Sequence, residues 1–209
     1  MLKIWGRLSS INVRKVVLAA QLLELPFERT DAGHEFGIVK TPDYLEKNPN
    51  ALVPLIEDGE LTLWESNVIV RYLCAKHSAG RFYPLGLPAR FEAERWMDWQ
   101  QTALNPAGRG AFIQLLRTPV ERRDATLVMQ SAAATERLLA MLDAHLARNA
   151  FVAGPALTMA DIPIACEIDR WWAIPLPHPQ ASPHAHLARW YEGIRNLPGA
   201  HGVLDLPQH

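Results

Sequence analysis

Leu52-Val53-Pro54-Leu55-Ile56-Glu57-Asp58-Gly59-Glu60-Leu61-Thr62-Leu63-Trp64-Glu65-Ser66 is the stretch that decides the fold. Asp58-Gly59 is a strong two-residue hairpin signal, because such turns need positive φ and Asp and Gly tolerate it. The apolar runs on either side, residues 52–56 and Leu61–Trp64, read as two antiparallel strands. Pro54 has no N–H to give a ladder, so it belongs at an edge or at a bend. From Ser66 the period changes. Val68, Ile69, Tyr72 and Leu73 fall on one helical face, and the helix ends before Gly80.

Upstream, Leu2–Trp5 is a short apolar strand closed by Gly6. Ser9-Ser10-Ile11-Asn12 offers several helix caps, and Val16, Val17, Ala20 and Leu23 recur at helical spacing until Pro26. Phe27–Thr30 reads as a second strand. Because a helix separates the two, they are expected to be parallel with a right-handed crossover. Residues 34–41 read as a loop, 42–46 as a short helix and Asn48-Pro49-Asn50 as a turn. The order is β-α-β-(α)-β-β-α.

Downstream the strand pattern ends. Residues 80–88 carry Gly and Pro signals and read as a linker. A helix is expected from near Pro88, with Trp96, Trp99 and Ala103 on one face and a kink at Pro106 or Gly108. Further helical stripes follow: Leu138, Leu139, Leu142 and Leu146; Ile164, Ile168 and Trp172; Leu187, Trp190, Tyr191 and Ile194. The fold class is therefore α/β followed by all-α. The expected division is 1–79, a linker at 80–88, and a helical bundle at 89–209.

About half of the 209 residues are hydrophobic, enough for a sizeable core. The net charge is -1 with both signs interspersed, which gives no reason to expect nucleic acid or an anionic membrane as partner. No run approaches the length of a membrane span, and no secretory h-region precedes the first strand, so the expected location is cytoplasmic. Cys74 and Cys166, the two cysteines, sit in apolar helical contexts and read as buried reduced thiols. No zinc-ligand spacing occurs and the eight histidines are scattered, so no metal is expected. His178, His184 and His186, in or beside the Pro-rich run 175–183, read as surface residues.

Four motifs in order resemble the cytosolic glutathione transferase superfamily, and specifically its bacterial and theta/delta-like serine-type members. They are the segment from Gly6 through Ser10 and Asn12 to Val16, the segment Asn48 to Pro54, Leu63-Trp64-Glu65-Ser66, and Thr158-Met159-Ala160-Asp161. The resemblance spans nearly the whole chain. It implies a thioredoxin-like domain that binds glutathione, a helical domain that shapes the pocket for a small hydrophobic electrophile, and a homodimer.

Carried over residue by residue, the resemblance makes Ser10 the hydroxyl that meets the glutathione sulfur, with Ser9 or Asn12 as alternatives. Read from its place alone, Ser10 is a helix cap. A free thiol has a pKa of about 8.5. Lowering it by roughly two units takes about 2.7 kcal/mol. A helix N-terminus supplies about 0.3–1 kcal/mol, up to ~2 when partly buried. A hydrogen bond to a charged group adds roughly 1.5–3 kcal/mol. Together they suffice. Val53-Pro54 matches the family's cis-proline, which turns the Val53 backbone toward an extended tripeptide. Ser66, well placed as the N-cap of its helix, is expected to receive the γ-glutamyl carboxylate together with the nearby N–H groups. Glu65 is expected to receive the γ-glutamyl ammonium, and Lys40 the glycine carboxylate. Ala51 stands where theta/delta enzymes carry a histidine, which removes one contact to that end.

Thr158-x-x-Asp161 is a capping box with a folding role. Asp98 is expected to be a solvated or salt-bridged helix residue, with a reach across a dimer interface as the alternative. Trp171-Trp172 is expected in the core rather than in the electrophile pocket, which the small Ala103 and Ala107 would leave open. The function implied is conjugation of glutathione thiolate to small electrophiles. The alternatives are glutathione-dependent disulfide or peroxide reduction at the same site, and a non-catalytic glutathione-binding module.

Overall fold

The computed structural model describes residues 1–176 and 184–207. Strands β1 (Leu2–Trp5), β2 (Phe27–Thr30), β3 (Leu55–Asp58) and β4 (Leu61–Trp64) form one sheet in the order β2-β1-β3-β4. β1 and β2 are parallel, with Ile4 opposite Arg29, and helix α1 (Ile11–Leu22) makes the crossover. β1 and β3 are antiparallel with Ile4 opposite Ile56, and β4 closes the hairpin with Leu55 opposite Trp64.

The two faces of the sheet sort by the strand period of two. Leu2, Ile4 and Ile56 are buried in the large core with α1 and helix α3 (Ser66–His77). Leu55 is buried on the other face with Ala32, Val39 and Tyr44, and Trp5 packs against them. Tyr44 belongs to the short helix α2 (Pro42–Lys47). The expected strand 52–56 is corrected: it runs from Leu55 to Asp58. Pro54 cannot donate to a neighbour, so the ladder starts only after it. β3 lies inside the sheet, and the proline sits at its threshold rather than at an edge.

The helical half opens with α4 (Leu87–Trp99), which continues through a π turn (Gln100–Leu104) into α5 (Asn105–Leu116). The change of winding comes ahead of the expected kink at Pro106 or Gly108. Pro106 has no N–H for the Thr102 carbonyl and its ring would press on it, and the wider turn just before it makes room. Helix α6 (Ala125–Leu146) packs along α5. There the Ser131 hydroxyl takes the Ala111 N–H and gives to the Ala107 carbonyl. Asp124 caps α6 through its side chain. Helix α7 (Asp161–Trp172) is buried along most of its length, and α8 (Ala185–Arg195) buries its predicted stripe of Leu187, Trp190, Tyr191 and Ile194.

Asp161 does more than the expected cap. Its carboxylate accepts from the Thr158 N–H at 2.8 Å, from the Thr158 hydroxyl, from the Val152 N–H at 2.9 Å and from Trp190 Nε1 at 2.9 Å. Burial pushes this carboxyl up, and those donors pull it back down.

The halves are joined through α1. Arg14 is buried and donates to the carbonyls of Leu8, Val203, Leu206 and Pro207 and to Asp169. Lys15, also buried, donates to Gln100 and Gln101 of the π turn. Cys74 and Cys166 are free and buried, and burial pushes each thiol up to about 12.

Candidate functional site

A small cleft opens where the first turns of α1 and α3 meet the β3 threshold. Asn12, Val53, Pro54, Glu65 and Ser66 all line it. Five of the expected site residues, spread over 55 positions of chain, thus come together.

Each arrives for a local reason. The Val53–Pro54 bond is cis. Among the described residues the Val53 N–H and C=O have no hydrogen-bond partner, which leaves them to pair with an extended peptide. Glu65 is the residue before α3, with φ 72, a conformation uncommon outside glycine and recurrent at functional sites. It takes the N-cap place expected for Ser66, which is instead the first helical residue. The correction has a physical reason. The Ser66 hydroxyl is buried and turned toward α1, where it donates to Asn12 Oδ1 at 3.2 Å. That bond ties two helix N-termini to one another at the cleft. Unpaired N–H groups and positive dipole ends converge there, an arrangement suited to an anion.

Ser10 occupies the N-cap place of α1, half-buried, and its side chain makes no capping hydrogen bond. Its carbonyl alone starts the helix, accepting from the Val13 and Arg14 N–H groups at 3.0 Å each. Lys40 lies apart from the cleft, exposed in the turn before α2. Ala51 has φ 53 and is half-buried beside the cleft residue Leu52. Asp98 is exposed on α4 and pairs with Arg71 at 2.6 Å, while Glu94 pairs with the same guanidinium. Trp171 is core. Trp172 is half-buried, edge-on to Tyr191 with ring centroids 4.9 Å apart. His184 corrects the surface reading: it is buried and its Nε2 lies 2.9 Å from Glu136. His186 is half-buried, and His178 lies outside the described residues.

Two features escaped the sequence. Asn50 lines the cleft, and its N–H is held by the buried side chain of Asn48 at 3.1 Å. The Asn-Pro-Asn turn signals a turn and nothing of where it faces. Behind the α3 end of the cleft lies a buried polar set, Lys15, Asn67, Gln100 and Glu167. Gln100 Nε2 donates to Glu167 at 2.8 Å, and Asn67 Nδ2 donates to the Met97 carbonyl at 3.0 Å and to Gln100 Oε1 at 3.3 Å. These residues come from four separate segments, and no local pattern announces them.

With this geometry in view, comparison with known proteins is direct. The family model described as glutathione S-transferase, N-terminal domain, matches residues 1–75, and that for the C-terminal domain matches 91–198. The chain is 42% identical to glutathione S-transferase GstB of Escherichia coli K12, over 99% of both chains. It is 31% identical to glutathione S-transferase 3 of Zea mays, covering 94% of this chain and 90% of that one. Its fold superposes on the theta class glutathione S-transferase of Xanthomonas axonopodis pv. citri, solved with glutathione bound. There the TM-score is 0.93 and the identity 35%, over 100% of this chain and 99% of that one. The sheet-bearing half and the helical half each match, in order and along nearly the whole chain: the chain belongs to the glutathione S-transferase family.

Proposed function

We propose that this transferase joins the thiolate of glutathione to a small hydrophobic electrophile, with the tripeptide lying in the cleft between α1 and α3. The carrying observation is the junction itself. Ser66 lines the cleft at the amino end of α3, where the N–H groups of the first turn would receive a carboxylate and the Ser66 hydroxyl would turn from Asn12 to join them. Glu65 stands next to them for the ammonium, and the unpaired Val53 backbone follows for the cysteinyl strand. Both polar groups of a γ-glutamyl end would thus be read within two residues.

The sulfur would then lie at the amino end of α1, where Ser10 has a hydroxyl not spent on capping. A hydrogen bond from it and the helix end together hold the sulfur ionised at neutral pH. The bound thiolate attacks the electrophile directly, its new bond to carbon forming as the leaving group departs or the double bond takes up a proton. Proximity and thiolate stabilisation are the protein's contribution, and the reaction asks for no metal. Asn12 is a second donor at the same end, and Lys40 would reach the glycine carboxylate. Residues 1–79 form the glutathione domain in this reading, 80–88 the linker and 89–209 the electrophile domain, in a cytoplasmic homodimer.

Calorimetry with glutathione and turnover of a chloro-nitro-aromatic test the proposal together. Binding with conjugation supports it. Binding with turnover only of a hydroperoxide or a glutathione-capped disulfide would move the chemistry to reduction, and no heat at millimolar glutathione would leave a module without the ligand.

A further inference from the structure

We infer that Lys15 is a positioning residue for glutathione: through the Gln100 oxygen that it shares with Asn67, its ammonium holds the first turn of α3 in the shape that receives the tripeptide's α-carboxylate. The inference rests on the placement of glutathione proposed above.

Lys15 is fully buried, yet among the described residues its ammonium meets no carboxylate directly. Its partners are two amide oxygens, Gln100 Oε1 at 3.0 Å and Gln101 Oε1 at 3.2 Å. The nearest relief is one amide further on, where Gln100 Nε2 donates to Glu167, itself held by Arg170 and by Asn105 at 3.1 Å. A buried ion held this way is costly, and an apolar chain of similar length would glue the halves better. What the ammonium adds is orientation. With Lys15 on one side and Glu167 on the other, only one setting of the Gln100 amide satisfies both, oxygen toward Lys15 and nitrogen toward Glu167.

That fixed oxygen is also an acceptor for Asn67, the second residue of α3 and the neighbour of Ser66. Among the described residues Asn67 Oδ1 is buried without a partner, so the side chain is anchored there by its two donations, to Gln100 and to the Met97 carbonyl. Ser66 holds the same turn to α1 through Asn12. The turn is thus pinned from both halves of the protein, and Lys15 governs one pin. Without the ammonium the Gln100 oxygen keeps only the long bond from Asn67, so the amide is free to shift along Glu167 and Asn67 loses its fixed acceptor.

The charge is titratable. Burial pushes the Lys15 pKa down to about 8, against the pull of Glu167 and Cys166 on α7 and of Glu65, and with the push of Arg170. Above that pH a charge-assisted bond becomes an ordinary one of roughly half the strength.

Steady-state kinetics in glutathione on the full chain, between about pH 6.5 and 9.5, test this. Lys15→Met is expected to raise KM for glutathione about five- to tenfold at neutral pH, with kcat at saturation within about twofold. The ratio of variant to wild-type KM, in which glutathione's own ionisations cancel, is expected to fall as pH climbs through about 8. Gln101→Glu sets a carboxylate on the ammonium from an exposed position and is expected to move that fall up by about one unit or more. A folded Lys15→Met enzyme with wild-type KM overturns the inference, and so does a Gln101→Glu profile that does not move. Should Lys15→Met not fold, the ratio of Gln101→Glu to wild-type KM decides alone: it is expected to fall above about pH 8, where wild type has lost the charge and the variant keeps it, and a flat ratio overturns the inference. Ser66→Ala separates the layers. If it leaves KM for glutathione unchanged, the docking site itself is wrong. If it raises KM while Lys15→Met does not, only the role of Lys15 falls.

Discussion

Ser10 shows how one side chain can be read two ways from sequence and be narrowed by geometry. A serine before a helix is by default a cap, yet this hydroxyl makes no capping bond while its carbonyl does the work of starting α1. Ser10→Ala is therefore expected to leave the melting temperature nearly unchanged. It should raise the pKa of bound glutathione by about one to two units and lower kcat/KM at neutral pH about 10- to 100-fold. Thiolate ultraviolet absorbance against pH, beside a thermal melt, checks both. A variant that loses the stability of a cap and keeps the thiol pKa would send the search to Ser9 and Asn12. Asp161 is the opposite case, a residue whose meaning was legible as a motif and whose weight was not. Asp161→Ala strands the N–H groups of Val152 and Thr158 and the Trp190 indole. It is expected to cost about 3–5 kcal/mol in urea unfolding, with the activity of the folded fraction unchanged.

Among the elements, those written in short-range patterns were legible. The hairpin announced itself in Asp58-Gly59, although its two turn residues are Gly59 and Glu60 with Asp58 still in β3; α1 was legible in its apolar spacing, and α8 in a stripe that is buried residue for residue. Where the reading slipped, a proline or a neighbour intervened. β3 starts late because Pro54 cannot donate. The π turn forms ahead of Pro106, and Ser66 gives up the cap place because Asn12 claims its hydroxyl. Lys15 is the element-scale test, since it belongs both to α1 and to the π turn. Its folded pKa of about 8 lies below the 10.5 of the free side chain. Between those values the unfolded chain binds the extra proton, so the stability that Lys15 contributes is expected to rise as pH goes from about 8 to 10.5, while the buried Cys74 and Cys166 thiols, pushed up to about 12, oppose it above about 9. The rise is at most about 3 kcal/mol. Urea unfolding across that range checks it: the stability of wild type relative to Lys15→Met, a difference in which the thiols cancel, should rise. Stability and the hold on α3 then respond to pH in opposite directions.

At the scale of the whole molecule, α1 is the keel. One face covers the sheet beside α3, and the other carries Arg14 and Lys15 into the helical half. Arg14 gathers the carbonyls of Val203, Leu206 and Pro207, so the last described segment is sewn to the first helix by one guanidinium. Burial lowers its pKa and Asp169 raises it back, and the group stays charged throughout. Arg14→Met is expected to cost about 3–5 kcal/mol, because carbonyls drawn together around a cation are left facing an apolar chain. Hydrogen exchange should show the first loosening at residues 203–207 and at the loop before α1, ahead of the sheet.

The chain order by itself determined most of the elements and the parallel and antiparallel pairs, and the family resemblance named five of the residues that meet at the cleft. Hairpin turns, helical stripes and strand alternation are set by neighbours a few positions apart. Only the tertiary structure decided that β3 is an inner strand, that Ser66 faces Asn12, that His184 is buried, and that a lysine charge lies behind the α3 turn. Each of those depends on a partner tens of residues away, and the free energy of burying a polar group is set by what it meets there, which no local pattern records.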